Sequence, residues 1–173
     1  MKPITKTEFK AENIKHSYIK GRWAYYKIVI DYIMSCNANS CLEIGPGCTP
    51  LFCDSDIFDI RELSDRTVKF LCDCDNTPWD IGDKSYDFLV ASHVFEHLSN
   101  PVKVFKEAKR VANNIVLVLP YKWRSRSKHS SKHWHIDENK IYEWTGLEPS
   151  LIKYVKVKDN KKTLQSIICF YEI

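Results

Sequence analysis

The chain has 173 residues, the size of one ordinary domain. A hydrophobic share of 44% beside 28% charged residues excludes a mainly disordered or collagen-like chain. The net charge of +4, from 26 basic against 22 acidic residues, is too mild to mark a dedicated nucleic-acid binder. No stretch approaches the roughly 18 apolar residues that span a bilayer. The segment Met1 to Lys10 is polar and basic without an apolar run, so a cytoplasmic location is expected. Seven cysteines, at 36, 41, 48, 53, 72, 74 and 169, lack the paired spacing of a zinc site. They read as reduced thiols, mostly packed as small hydrophobes.

From the amino terminus, Glu8 to Met34 places Trp23, Tyr26, Ile30 and Ile33 at helical spacing and predicts one or two helices. Ser40 to Ile44 predicts a short buried strand ending at Gly45-Pro46-Gly47. Asp56 to Asp59 and Val68 to Cys72 follow as short strands. Tyr86 to Ala91 is a near-continuous apolar run, as central parallel strands are. Pro101 to Ala112 predicts an amphipathic helix, and Asn114 to Leu119 a buried strand stopped by Pro120. Asp137 to Thr145 predicts a short helix with Asp137 as cap and Gly146 as stop. Leu151 to Lys158 and Leu164 to Ile173 predict a closing hairpin. The expected fold is α/β: one mostly parallel sheet flanked by helices, with one antiparallel strand. Residues 1–39 form a helical cap and 121–146 a basic lid with a short helix, all within a single domain.

In such sheets a ligand sits at the carboxyl ends of the strands. The first strand ends Leu42-Glu43-Ile44-Gly45-Pro46-Gly47-Cys48-Thr49-Pro50, which holds two of the five glycines in the chain. Glycines flanking one residue permit a sharp turn and close approach to a ligand. A dinucleotide fingerprint would want glycine where Pro50 stands. Glu43 would also oppose a pyrophosphate. It would attract a cation instead, at about 4 kcal/mol for a partly buried pair at a dielectric of 20. S-adenosylmethionine carries an ammonium and a sulfonium and no phosphate. The plain alternative is a structural turn with a solvated Glu43. Asp59, sixteen residues on, can accept ribose hydroxyls, with Asp54 and Asp56 as competitors. Asp73 can accept from an adenine amino group beside the Cys74 N–H, or can be a simple loop acid.

Taken in order, Leu42 to Gly47, Asp73, Thr77-Pro78-Trp79, Tyr86-Asp87 and Ser92-His93-Val94-Phe95-Glu96-His97-Leu98-Ser99-Asn100-Pro101 resemble the motifs of class I S-adenosylmethionine-dependent methyltransferases. They are most similar to the type 11 branch, over roughly residues 40 to 121. The resemblance implies a Rossmann-like seven-stranded sheet ending in an antiparallel hairpin. It implies a cofactor site of Glu43, Gly45, Gly47, Asp59, Asp73 and Cys74; Pro46 and Ser92 are expected to belong to the same site, and no metal is expected. The chain departs from the family in its missing third glycine. Its connection from Gly47 to Asp56 is also too short for a full helix.

Methyl transfer from a sulfonium needs alignment above all, so no catalytic triad is expected. His93, Glu96 and His97 fall on one face of a helix after the fourth strand. His93, nearest the crevice, can take a proton from a hydroxyl, or be a polar rim residue. His97 reads as a packing residue. Tyr121 to His135 carries five basic residues and no acid, with Trp123 and Trp134 interleaved. It reads first as a lid in which Tyr121, Arg124, Arg126, His133 and His135 bind an anionic or polyhydroxylated small acceptor. A solvated loop ranks second, and a metal site at His129, His133 and His135 a distant third. The expected acceptor is a small-molecule or glycan-like hydroxyl or carboxylate. Ala91-Ser92-His93-Val94 stands where base-methylating enzymes carry Asn-Pro-Pro-Tyr or Pro-Cys, which makes DNA unlikely. RNA stays open, as do a non-catalytic nucleotide- or partner-binding domain of the same fold and a nicotinamide-dependent enzyme.

Overall fold

A computed structural model describes residues 1–12, 21–64, 66–123, 135–159 and 162–173. Seven strands form one sheet in the order β3-β2-β1-β4-β5-β7-β6. They are β1 (Cys41–Ile44), β2 (Asp56–Asp59), β3 (Phe70–Leu71), β4 (Tyr86–Ser92), β5 (Ala112–Pro120), β6 (Leu151–Asp159) and β7 (Lys162–Glu172). The neighbours from β3 to β5 run parallel. Strand β7 runs antiparallel to both β5 and β6. This is the seven-stranded, Rossmann-like architecture expected from the sequence, with its antiparallel hairpin. The third strand is shorter than expected, two residues in place of five.

Period-2 alternation sends β5 residues to two cores. Ile115, Leu117 and Leu119 join one cluster, and Val116 and Val118 the other. The first cluster is closed by α3 (Pro101–Val111) through Val104, Phe105 and Ala108, and by Ile141 of α4 (Glu138–Thr145). The second is closed by α2 (Trp23–Ser35) through Tyr25, Tyr26, Val29, Ile30 and Ile33. Phe9 of α1 (Lys6–Glu12) adds to it. So α2 lies against the sheet as part of its second face. Asn100 caps α3 by accepting from the Lys103 N–H at 3.1 Å, ahead of Pro101. Asp137 caps α4, and Gly146 ends it with a φ of 61°.

No helix joins β1 to β2. The connection is instead a buried loop in which Thr49, Leu51 and Phe52 are all 2% exposed or less. The Tyr26 hydroxyl donates to the Thr49 carbonyl at 2.7 Å. The N-terminal strip pairs with the same loop, Ile4 N–H to Leu51 O at 2.9 Å and Cys53 N–H to Lys2 O at 2.8 Å. Cys41, Cys74 and Cys169 are buried, but Cys36, Cys48 and Cys72 are exposed, so packing accounts for fewer thiols than expected. No described helix is long and apolar enough to cross a membrane.

Candidate active site

A cleft of about 530 Å³ opens at the carboxyl ends of β1 to β4, within the size range of cofactor sites. Gly45 contributes from β1, Asp59, Ile60 and Arg61 from β2, and Asp73, Cys74 and Asp75 from β3. His93, Val94 and His97 close it from β4. A second cavity of about 490 Å³ shares Arg61 and is lined by Gly47 and Cys48. Gly45 and Gly47 both take left-handed backbone, with φ of 59° and 60°. A Cβ at Gly45 would lie 2.9 Å from a Val94 methyl, whereas one at Gly47 would enter open space. The turn therefore presents bare backbone to the second cavity.

Asp59 is 4% exposed. Its Oδ1 accepts from the Arg61 N–H at 3.1 Å. Its Oδ2 is buried with no hydrogen-bond partner among the described residues. A buried carboxylate oxygen without a donor is costly, which marks a place for one. The competing acids are occupied elsewhere. Asp54 accepts from the Lys2 N–H at 2.8 Å. Asp56 takes Lys69 Nζ at 2.5 Å and the Tyr86 hydroxyl at 2.7 Å, at the opposite end of β2.

Glu43 departs from expectation. Its carboxylate turns into the β1–β2 loop, accepting from the N–H groups of Leu51 at 2.7 Å and Phe52 at 3.0 Å, and from Ser55 Oγ at 2.6 Å. It does not line the cleft. Burial pushes its pKa up to about 7 against those hydrogen bonds. Pro46 is buried and lines neither cavity. Ser92 also turns away, since alternation along β4 points its Oγ at the Tyr25 hydroxyl, 3.5 Å off, on the α2 side.

His93 and Glu96 do not share an α-helix face. His93 has a left-handed φ of 56°, and Phe95–His97 is a single 3-10 turn. The His93 N–H is held by the Val118 carbonyl at 2.8 Å. Its Nδ1 lies 3.1 Å from Glu96 Oε1. The ring is flanked by Tyr25 and Trp123, with centroids at 5.7 and 5.5 Å. His97, expected to pack, is instead 53% exposed at the cleft.

Tyr121 serves the scaffold. Its hydroxyl donates to Glu138 at 2.9 Å, and its ring meets Tyr154 edge-on at 5.0 Å. His135 is exposed with a φ of 55° and does not line the cleft. Arg124, Arg126 and His133 lie outside the described residues, as does His129 of the alternative metal site. Glu96, set on one face with His93 and His97 by the sequence but given no role there, is a fully buried side chain on the His93 ring. Its histidine-to-acid spacing of three was visible, but the turn that joins them was not. Asp75, likewise given no role, accepts from the N–H groups of Ser99 at 2.8 Å and Asn100 at 3.0 Å, fixing the cleft rim to the start of α3.

Residues 59–115 match the methyltransferase-domain family of type 11. No curated protein matches by sequence. The methyltransferase domain of bacterial CtHen1 is similar with a TM-score of 0.58 at 14% identity, over 88% of this chain and 100% of that one. A SAM-dependent methyltransferase from Aquifex aeolicus gives 0.51 at 15% identity, over 96% and 98%. The N-terminal domain of EvdMO1 with SAH bound gives 0.54 at 12%, over 85% and 80%. At such identities the likeness is one of fold. The chain has the fold of the class I methyltransferases. Its family match, which starts at Asp59 and runs through His93 and Glu96 into β5, is to the type 11 branch.

Proposed function

We propose that the protein is an S-adenosylmethionine-dependent methyltransferase acting on a hydroxyl of a small or glycan-like acceptor. The observation that carries this reading is the unpartnered Oδ2 of Asp59 in the cleft wall. A ribose presents two adjacent hydroxyl donors, which suit a buried carboxylate oxygen that lacks one. Gly45 and Gly47 would hold the methionine part on exposed backbone, and Asp73 with the Cys74 N–H would hold the adenine. Cofactor bound there supplies a methyl group on an already activated sulfonium. His93, buried in the same wall, takes the acceptor's proton. Arg124 and Arg126 remain candidates for an anionic or polyhydroxylated acceptor, on the basic character of their segment alone.

Calorimetry tests the cofactor assignment. S-adenosylmethionine or its demethylated product should bind at micromolar levels, with no response to NAD. Asp59→Asn should weaken binding about tenfold to a hundredfold, the worth of one charge-assisted hydrogen bond. Gly47→Val should abolish it, because a branched side chain fits neither the left-handed backbone nor the approach of a ligand. NAD binding without S-adenosylmethionine binding would sink the assignment. Binding of neither would favour a partner-binding domain of this fold, a reading that Glu43's engagement by the loop also supports.

A further inference from the structure

Within the proposed methyl transfer, the acceptor atom and the role of Glu96 remain to be fixed. His93 Nδ1 and Glu96 Oε1 stand 3.1 Å apart, with side-chain exposures of 5% and 0%. The turn itself does not need an acid at 96, because it closes through backbone, His97 N–H to Val94 O at 2.8 Å. A wholly buried carboxylate is costly, and here it is aimed at the one histidine in the cleft wall that is also buried. His93 is equally constrained. A non-glycine residue at φ 56° is strained, and the rings of Tyr25 and Trp123 both lie against its imidazole.

We infer that Glu96 is a positioning residue holding His93 in its Nδ1–H tautomer, so that Nε2 is the base for a hydroxyl acceptor. A carboxylate can only accept, so Nδ1 must carry the proton it receives, and the lone pair falls to Nε2. Burial lowers the His93 pKa, and Arg22 at the head of α2 and His97 on the turn lower it further, against the raising effect of Glu96. The imidazole is thus neutral and ready to accept near pH 7. In the step itself the acceptor oxygen forms a bond to the methyl carbon while the carbon–sulfur pair returns to sulfur. The hydroxyl proton passes to Nε2, and the imidazolium so formed is stabilised by Glu96 until water removes the proton. A carboxylate acceptor is already anionic and needs no base, and the Glu96 charge opposes it. The buried pair therefore selects a hydroxyl.

The inference rests on the methyltransferase reading, and two measurements separate them. Long-range proton–nitrogen correlation on histidine-labelled protein at pH 7.5 should report the Nδ1–H tautomer at His93. Glu96→Gln should shift it toward Nε2–H, since the amide can donate to Nδ1. Turnover, read as demethylated cofactor, should be found in a panel of glycerol, methyl glycosides and catechol. His93→Ala and Glu96→Gln should each lower kcat about 100-fold or more. KM for S-adenosylmethionine should stay within a few fold. Glu96→Asp should recover part of the rate, and the acid limb of the pH profile should move in both Glu96 variants. An Nε2–H tautomer in the unaltered protein overturns the inference, as does a Glu96→Gln enzyme with normal rate and pH profile. So does turnover confined to carboxylic acids. Failure of the unaltered protein to bind S-adenosylmethionine defeats the methyltransferase reading instead. If cofactor binds and no acceptor in the panel reacts, the tautomer decides.

Discussion

Glu43 and Asp59 end neighbouring strands, yet three protein donors reach the first and one oxygen of the second meets none. That contrast separates an acid whose oxygens the fold satisfies from one with an unmet oxygen, and gives a stability test. The Glu43 pKa of about 7 in the folded protein lies above the usual 4.5 of a glutamate. Between those values the native state holds a proton that the unfolded chain releases. Stability should therefore be greatest below about pH 4.5, as far as this group is concerned, and decline as pH rises through 7. Glu43→Gln removes the titration, so denaturant unfolding should lose that component of its pH dependence. The amide also faces at least one N–H with a donor of its own, at about 1–3 kcal/mol for the unmet group. An unchanged slope between pH 5 and 8 would show that Glu43 stays ionised throughout. At this scale the sequence made the place of Asp59 legible, at the end of the second strand sixteen residues after Glu43. It misplaced Glu43 because a charge suited to an ammonium suits backbone N–H groups as well. Only the path of the loop decides between them.

Most elements were legible from period and punctuation. β2 and α4 follow Asp56 to Asp59 and the Asp137 and Gly146 signals closely. The 3-10 turn was not, since His93, Glu96 and His97 also satisfy a helix pattern, and the left-handed His93 that breaks it carries no glycine. The network under the cleft floor was equally hidden, for it joins α3 to a loop far away in sequence. Arg110 donates to the carbonyls of Ile81 at 2.6 Å and Trp79 at 3.0 Å, and to Asp83 at 2.8 Å. Glu107 accepts from the Trp79 N–H at 3.0 Å. Trp79 in turn donates from its indole to the Cys74 carbonyl at 3.0 Å, in the cleft wall. Arg110→Ala should cost roughly 2 kcal/mol, the range for a charged donor with several acceptors. Arg110→Lys should rescue little, because an ammonium cannot span the set. Hydrogen exchange should quicken at residues 79–85, and cofactor affinity should fall a few fold through Cys74. Loss of stability with exchange unchanged in that loop would mean that α3 alone feels the substitution.

For the whole molecule, strand order was readable because buried parallel runs followed by a terminal hairpin admit few topologies. The cleft was readable only as a position, at the carboxyl ends of the strands. Its walls come from four separate stretches, around residues 45, 59–61, 72–75 and 93–99, joined by the sheet and by the bonds of Asp75 to Ser99 and Asn100. A ligand touching all four should therefore stabilise the domain as one unit. At a hundredfold excess over Kd, mass action adds about 2.7 kcal/mol to unfolding. For a domain of this size, with about 2–4 °C per kcal/mol, Tm should rise by roughly 5–11 °C. The rise should follow the logarithm of S-adenosylmethionine concentration once the site is saturated. Asp59→Asn should shift that curve to higher concentration by its loss in affinity. Glu96→Gln should leave it in place, because Glu96 acts on the acceptor's proton and not on the cofactor. A thermal shift that Asp59→Asn leaves untouched would move the ribose away from β2 and, with it, the orientation of the methyl group relative to His93.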